Sequence, residues 1–252
     1  MEIRLLGTGG WMPTDRRETA CYYLRDGADV LLLDAGSGMR RLVTDPGLLD
    51  GVERLYVALS HFHLDHVNGL IALPALQALE TREVWAPGRT VAGMPAEEAI
   101  GRLLGPPFLA ATVEDAMRMF VTAVRELGDT AEIGPFRIET RVQPQHTCPT
   151  IAMRVNHELV YCTDTAYDPE NATFARGARI LLHEADYASD ETDDPIHSAA
   201  GEAARVAAAA EVDQLILCHV DPRLGDDDEL LRYARPHFAE VEVAVDRAVV
   251  GS

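Results

Sequence analysis

The sequence has no long apolar run and few basic residues for its acidic content. No apolar stretch approaches the ~20 residues that a helix needs to cross a bilayer, so we expect no membrane association. Lys and Arg together number 22 against 41 Asp and Glu, which gives a formal net charge of −19. Such a chain repels nucleic acid and anionic membrane surfaces unless a local patch or a bound metal reverses the field. Nucleic acid is therefore disfavoured as a partner.

Cysteine is also scarce, and none of the four residues belongs to a CxxC pair. Cys21, Cys148, Cys162 and Cys218 are scattered along the chain, which favours a reducing compartment and thiols that serve as small core residues. Cys148 is the exception, because it lies two residues from His146. The chain begins with a strand-like segment and a glycine turn, MEIRLLGTGG, instead of a basic and then apolar targeting segment. We therefore expect a cytoplasmic protein.

Short apolar segments separated by turn residues dominate the sequence. They predict strands at residues 3–6, 20–24, 30–33, 55–59, 136–142, 151–155, 159–162, 180–182 and 214–218. Helices are predicted at residues 70–79, 97–104, 113–127, 198–210 and 226–238. Each half of the chain begins with strands and continues with alternating strands and helices. This order indicates an α/β fold, an αββα sandwich of two mixed β-sheets flanked by helices.

The segment at about 87–130 differs from its surroundings. Ala, Leu, Met and charged residues predict helices on both sides of Gly105-Pro106-Pro107, which interrupts them. We interpret the segment as a helical insertion in a single domain that spans residues 1–252. The insertion would form a lid over a pocket or a contact in a homodimer, and an ordinary pair of packing helices is the alternative.

The highest density of titratable side chains is in HFHLDH at residues 61–66, directly after the predicted strand at 55–59. Imidazole and carboxylate groups together suit zinc and similar divalent ions. Six residues cannot easily direct all four side chains to one tetrahedral ion, but they can give two to each of a pair about 3.5–4 Å apart. Such a site needs further ligands. His146, Asp164 and His219 offer them, because each follows the end of a predicted strand, where distant segments converge.

This pattern resembles the metallo-β-lactamase superfamily of metal-dependent hydrolases. The motif at 61–66 is followed in the expected order by His146, Asp164 and His219, and similar blocks begin at LLGTGGWMPT near the start and LLLDAGSG at 31–38. ARGARILLHEADY at 175–187 and the segment at 196–222 resemble the branch that contains RNase Z and small cyclic phosphodiesterases.

The resemblance implies a dinuclear centre with seven ligands. One metal would be held by His61, His63 and His146, the second by Asp65, His66 and His219, with Asp164 and a hydroxide bridging the two. Zinc is favoured, with manganese and iron as alternatives. The bridging hydroxide would be the nucleophile.

Three residues are further implied to take part in catalysis. They are Asp65, also a ligand, His197 and Glu184. The resemblance implies that His197 contacts phosphate or assists the leaving group, and that Glu184 orients it by a hydrogen bond. The alternative for His197 is a helix N-terminal residue with no catalytic role. The alternative for Glu184 is a surface acid with no catalytic role. Asp34 would anchor the metal loop through hydrogen bonds.

Two departures from the family pattern limit the choice of substrate. RNase Z enzymes carry a long arm for transfer RNA between the third histidine and the bridging aspartate, but here His146 and Asp164 are separated by a predicted hairpin. The cysteine-rich zinc site of the phosphodiesterase of phosphonate breakdown also has no counterpart. We therefore expect a dinuclear hydrolase of a small, including a cyclic, phosphodiester. Hydrolysis of a lactone, thioester or amide, or a non-hydrolytic biosynthetic role, remain the alternatives.

Overall fold

A computed structural model of the protein describes residues 1–109 and 112–251. Its strands form two sheets of seven strands each. The first sheet contains β1 (Glu2–Gly7), β2 (Cys21–Asp26), β3 (Asp29–Leu33), β4 (Arg54–Ala58), β5 (Thr81–Pro87), β6 (Ala123–Leu127) and β14 (Val249–Val250). The second contains β7 (Thr130–Ile133), β8 (Phe136–Gln143), β9 (Thr150–Val155), β10 (Leu159–Cys162), β11 (Ile180–Glu184), β12 (Gln214–Cys218) and β13 (Val241–Val243).

The strand orders are β14-β1-β2-β3-β4-β5-β6 and β13-β12-β11-β10-β9-β8-β7. Both sheets are mixed. β3 to β6 run parallel in the first sheet and β10 to β13 run parallel in the second, whereas the remaining pairs are antiparallel. Because parallel strands end at the same edge, the loops after β4, β10, β11 and β12 are brought to common rims.

Helices cover the outer faces of both sheets. They are α1 (Arg41–Thr44), α2 (Leu64–Val67), α3 (Arg89–Ala92), α4 (Ala96–Leu104), α5 (Val113–Phe120), α6 (Glu170–Ala175), α7 (Ala200–Ala210) and α8 (Asp228–Ala234), with 3-10 turns at Ser37–Arg40, Pro46–Leu49 and Asn68–Leu76. One apolar cluster lies between the sheets, where Leu31 of β3 and Phe136 of β8 are fully buried. Two others lie between each sheet and its helices. The predicted αββα sandwich is confirmed.

Two of the predicted helices are wrong in part. The pattern at residues 70–79 predicts an α-helix, but Asn68–Leu76 is a 3-10 helix with Pro74 inside, and proline has no N–H to donate to an α-helical hydrogen bond. The helix predicted at 113–127 ends at Phe120. Ala123–Leu127 instead pairs in parallel with β5 at the edge of the first sheet, where the β-branched Val121, Thr122 and Val124 favour an extended backbone.

The segment at 87–130 therefore contributes α3, α4 and α5 and one edge strand. Residues 110 and 111 within it lie outside the described part of the chain, and its role as an insertion or dimer contact stays a prediction. In the described residues, no helix is long and apolar enough to cross a membrane.

Candidate metal centre

Four loops bring the predicted ligands to one place. HFHLDH follows β4, and His146, Asp164 and His219 follow β8, β10 and β12. Asp164 and His219 have positive φ values of 48° and 51°, in the left-handed region that non-glycine residues seldom adopt. Such backbone strain persists where the surroundings fix it, and it clusters at functional sites. Here it turns both side chains inward immediately after their strands.

Asp164 lies at the centre of the cluster and faces two groups of histidines. Its Oδ2 is 3.6 Å from Nε2 of His61 and 3.6 Å from Nε2 of His146. Its Oδ1 is 3.1 Å from Nε2 of His66 and 3.3 Å from Nε2 of His219. Although burial opposes ionisation, His219 and His66 hold the pKa of Asp164 well below its usual range. One ionised carboxylate therefore presents an oxygen to each group.

Asp65 and His63 complete the two groups. Oδ2 of Asp65 is 3.3 Å from Nε2 of His219 and 3.5 Å from Nε2 of His66. Nδ1 of His63 is 3.2 Å from Nε2 of His146. In each group, one potential ligand atom per residue lies within 4.8 Å of all the others.

The donor atoms fit divalent cations. Two ligand atoms of a tetrahedral zinc ion, each about 2.0–2.1 Å from the metal, are about 3.3 Å apart, which is close to the separations above. Nε2 of His61 is buried and has no hydrogen-bonding partner among the described residues, an arrangement that is costly unless another group is bound. Burial and the neighbouring His66 lower the pKa of His61 well below its usual range, so its nitrogen stays available as a ligand.

Asp34 sets the orientation of two of these histidines. Its carboxylate is fully buried and accepts hydrogen bonds from Nδ1 of His66 at 2.7 Å and from the Ser60 hydroxyl at 2.8 Å. The Ser60 hydroxyl in turn lies 3.0 Å from Nδ1 of His61, and the Tyr161 hydroxyl donates to Asp34 at 2.7 Å. With Nδ1 engaged in this way, Nε2 of both histidines is left to bind a metal. Asp34 thus holds the loop through hydrogen bonds, as the sequence predicts.

Comparison with known protein families identifies the superfamily to which the chain belongs. The sequence pattern of the beta-lactamase superfamily domain matches residues 29–220. The chain belongs to the beta-lactamase superfamily. It is a metal-dependent hydrolase with the metallo-β-lactamase fold, and within the superfamily it is similar to the RNase Z branch.

Individual superfamily members are similar over almost their whole length. Ribonuclease Z of Natronomonas pharaonis is 26% identical over 288 aligned positions, which cover 94% of this chain and 93% of the relative. The metallo-β-lactamase fold protein YhfI of Bacillus subtilis has a TM-score of 0.79 at 23% identity and covers 98% of each chain. A diphosphatase of the PhnP family has a TM-score of 0.75 at 16% identity and covers 100% of this chain and 97% of its own. The two structures show the fold alone.

His197 and Glu184 form a pair beside the predicted ligands of this superfamily member. Nδ1 of His197 is 3.0 Å from Oε2 of Glu184, which is fully buried at the end of β11 and also accepts a hydrogen bond from the Thr165 amide. Burial disfavours the imidazolium, but the Glu184 carboxylate outweighs it and raises the pKa of His197 to about 10. The His197 ring stacks on His219 with centroids 5.6 Å apart. A charged donor is thus held against the candidate centre.

A cavity of about 360 Å³ opens on this side of the centre. Its wall includes His63, His146, His197 and His219, and a rim formed by Trp11 and Arg223. Carboxylates that are not among the predicted ligands also line it, namely those of Asp186, Asp194 and Asp221. The cavity suits a small ligand whose charged part contacts the centre.

The N-terminal loop contributes to the site in a way that the sequence alone did not predict. The Trp11 amide donates to Oδ2 of Asp65 at 2.7 Å. A Cβ at Gly10 would lie 2.5 Å from Cε1 of His219, so only glycine lets this backbone cover the imidazole. The glycine turn in LLGTGGWMPT is the sequence feature that could have indicated this contact, since glycine often allows the backbone to approach another group closely.

Three further histidines lie apart from the predicted ligands. His183 is buried on β11 and donates through Nδ1 to its neighbour's carbonyl, so it is part of the buried core. His157 has a positive φ of 58° in the β9–β10 turn, and His237 pairs with Asp190 at the surface. Cys148 is half-buried with its sulfur 3.6 Å from Nε2 of His63, so it lies beside the site, whereas the other three cysteines are in the core.

Replacing Gly10 with alanine is expected to displace His219 and weaken metal binding at the Asp65–His66–His219 group, because the new methyl group overlaps the imidazole. Metal content after dialysis, measured by plasma mass spectrometry, should fall to about half if one of two ions is lost. Gly225→Ala is the control, since nothing lies within 4 Å of the position that its methyl group would take. Retention of full metal content by Gly10→Ala would contradict the packing argument.

Replacing Asp34 with asparagine is expected to weaken metal binding by roughly 10–100-fold, because the amide cannot accept from Ser60, His66 and Tyr161 as the carboxylate does. Competition against a chromogenic chelator measures the change. Asp26→Asn, at an exposed strand end, is the control. An unchanged affinity would show that the histidines are oriented by other contacts.

Proposed function

We propose that the protein is a dinuclear metal-dependent phosphodiesterase that acts on a small phosphodiester. His61, His63 and His146 would hold one cation and Asp65, His66 and His219 the other, with Asp164 shared by both. Zinc suits this mixture of nitrogen and oxygen donors, as do manganese and iron. When bound, the two cations would supply hydroxide at neutral pH and neutralise charge that develops on the phosphoryl oxygens.

The observation that carries the proposal is the His197–Glu184 pair at the edge of the metal-ligand cluster. Hydrolysis forms a bond from the attacking oxygen to phosphorus and breaks the bond from phosphorus to the leaving oxygen, which must gain a proton. His197 holds one proton on Nδ1 against Glu184 at 3.0 Å, which leaves Nε2–H to donate. With its pKa raised to about 10, His197 is charged at neutral pH and also attracts the anionic substrate.

The surroundings of the site support a small substrate. The net charge is −19, and three further aspartates line the cavity, so an extended polyanion is repelled from the entrance. β9 and β10 fill the stretch between His146 and Asp164 as a hairpin. The alignment with ribonuclease Z has 288 positions, more than the 252 residues of this chain, so that relative carries residues without a counterpart here. These observations favour a small diester over RNA.

Turnover of bis(p-nitrophenyl) phosphate by protein loaded with zinc or manganese tests the proposal. We expect release of p-nitrophenol that requires metal and is lost in His66→Ala. A rate equal to that of the variant would defeat the phosphodiesterase proposal. Hydrolysis of a lactone, a thioester or a β-lactam, without turnover of the phosphodiester, would assign the same site to acyl transfer. Cleavage of a structured RNA with a 3′ extension at a higher kcat/KM than that of bis(p-nitrophenyl) phosphate would overturn the proposal that the substrate is small.

A further inference from the structure

A second cavity of about 290 Å³ adjoins the candidate metal centre from the side of the first sheet. His61 and His63 belong to its wall, so it meets the group of ligands around the first proposed cation. The remaining wall comes from the loop after β4, the end of β5, helices α3 and α4, and the turn before β9. Its apolar side chains are those of Phe62, Pro87, Ala92, Met94, Ala99 and Pro149.

The two cavities differ in their chemistry. The first is lined by aspartates and by His197, whereas among the described residues no carboxylate and no His197 atom lines the second. Arg102 is the charged residue at the rim of the second, and Glu98 neutralises it through a 2.6 Å ion pair. The second cavity therefore offers apolar surface with little net charge, which favours an uncharged organic group.

The position of the second cavity relative to the proton donor decides which part of a substrate it receives. The His146 ring contacts both neighbours, with centroids 4.9 Å from His63 and 5.1 Å from His197. A leaving group that takes a proton from His197 faces the first cavity. His63 lines both cavities, so it connects this site to the second cavity, where the other substituent on phosphorus would lie.

We propose that this second cavity binds an apolar or aromatic group that stays on phosphorus after hydrolysis, and that α3 and α4 thereby set the substrate preference. The inference rests on the proposed phosphodiesterase function. A volume of about 290 Å³ accommodates a phenyl-sized group, and burial of such a group in an apolar pocket separates substrates by roughly tenfold or more.

Two diesters with the same leaving group test the inference. They are methyl p-nitrophenyl phosphate and phenyl p-nitrophenyl phosphate. We expect kcat/KM of metal-loaded protein to favour the phenyl ester by roughly tenfold or more. Ala99→Trp, which fills the cavity, should reduce that ratio to about one. Ala208→Trp, the same change at an exposed position of α7, should leave the ratio as it is.

The outcomes separate this inference from the proposed function. Metal-dependent hydrolysis of both esters without a phenyl preference, or a preference that Ala99→Trp does not alter, would overturn the inference alone. Hydrolysis of neither ester would defeat the proposed function. In that case, calorimetric binding of phenylphosphonate and methylphosphonate to the metal-loaded protein tests the cavity directly. We expect phenylphosphonate to bind more tightly than methylphosphonate, and Ala99→Trp to remove this difference in affinity. If circular dichroism shows that Ala99→Trp does not fold, Ala92→Leu takes its place.

Discussion

Replacing Asp164 with asparagine is expected to lower phosphodiester turnover by at least ~10³-fold, because a metal centre contributes several kcal/mol of charge stabilisation to the transition state. Asp164 faces His61 and His146 with one oxygen and His66 and His219 with the other. An amide keeps one oxygen and loses the charge. It therefore cannot serve both groups of histidines as the carboxylate does.

Metal content distinguishes loss of the shared ligand from a general loss of structure. We expect Asp164→Asn to retain its circular dichroism spectrum but to bind less than the full complement of metal. Asp221→Asn is the matched control, since Asp221 lines the same cavity, pairs with Arg223 and is not among the predicted ligands. Full metal content and normal turnover in Asp164→Asn would show that the residue does not join two cations.

The residues of the candidate site could be predicted from the sequence because their chemistry is local. Histidine and aspartate directly after apolar strands are visible in HFHLDH and in the segments around His146, Asp164 and His219. The sheet order then brings these segments together. Their roles as metal ligands stay predictions, which the asparagine variant tests.

What the sequence could not predict depends on contacts between distant segments. The fit of Gly10 against His219 and the hydrogen bond from Trp11 to Asp65 join the N-terminal loop to segments far along the chain. Residues 121–127 mix helix-forming side chains with the β-branched Val121, Thr122 and Val124, and most of them form β6 because the edge of β5 offers them hydrogen bonds. The second cavity likewise exists only where α3 and α4 pack beside His63.

Replacing His197 with alanine is expected to slow hydrolysis in proportion to how much the leaving group needs a proton. A general acid contributes about 10²–10⁴-fold when the leaving oxygen is basic. We therefore expect a loss of that size for diphenyl phosphate and a much smaller loss for phenyl p-nitrophenyl phosphate, whose p-nitrophenolate leaving group departs readily as an anion. Metal content should be unchanged, because the seven predicted ligands remain.

Glu184→Gln tests whether the carboxylate acts through His197. Glu184 is buried against Nδ1 of His197, so its charge stabilises the protonated imidazole. The double variant should then be no slower than His197→Ala alone, because groups that act as a unit give non-additive losses. Additive losses would show that Glu184 supports the site by another route, such as its hydrogen bond from the Thr165 amide next to Asp164. In the His197→Ala variant, equal losses of rate for the phenol and p-nitrophenol leaving groups would show that His197 contacts the phosphate and is not the proton donor.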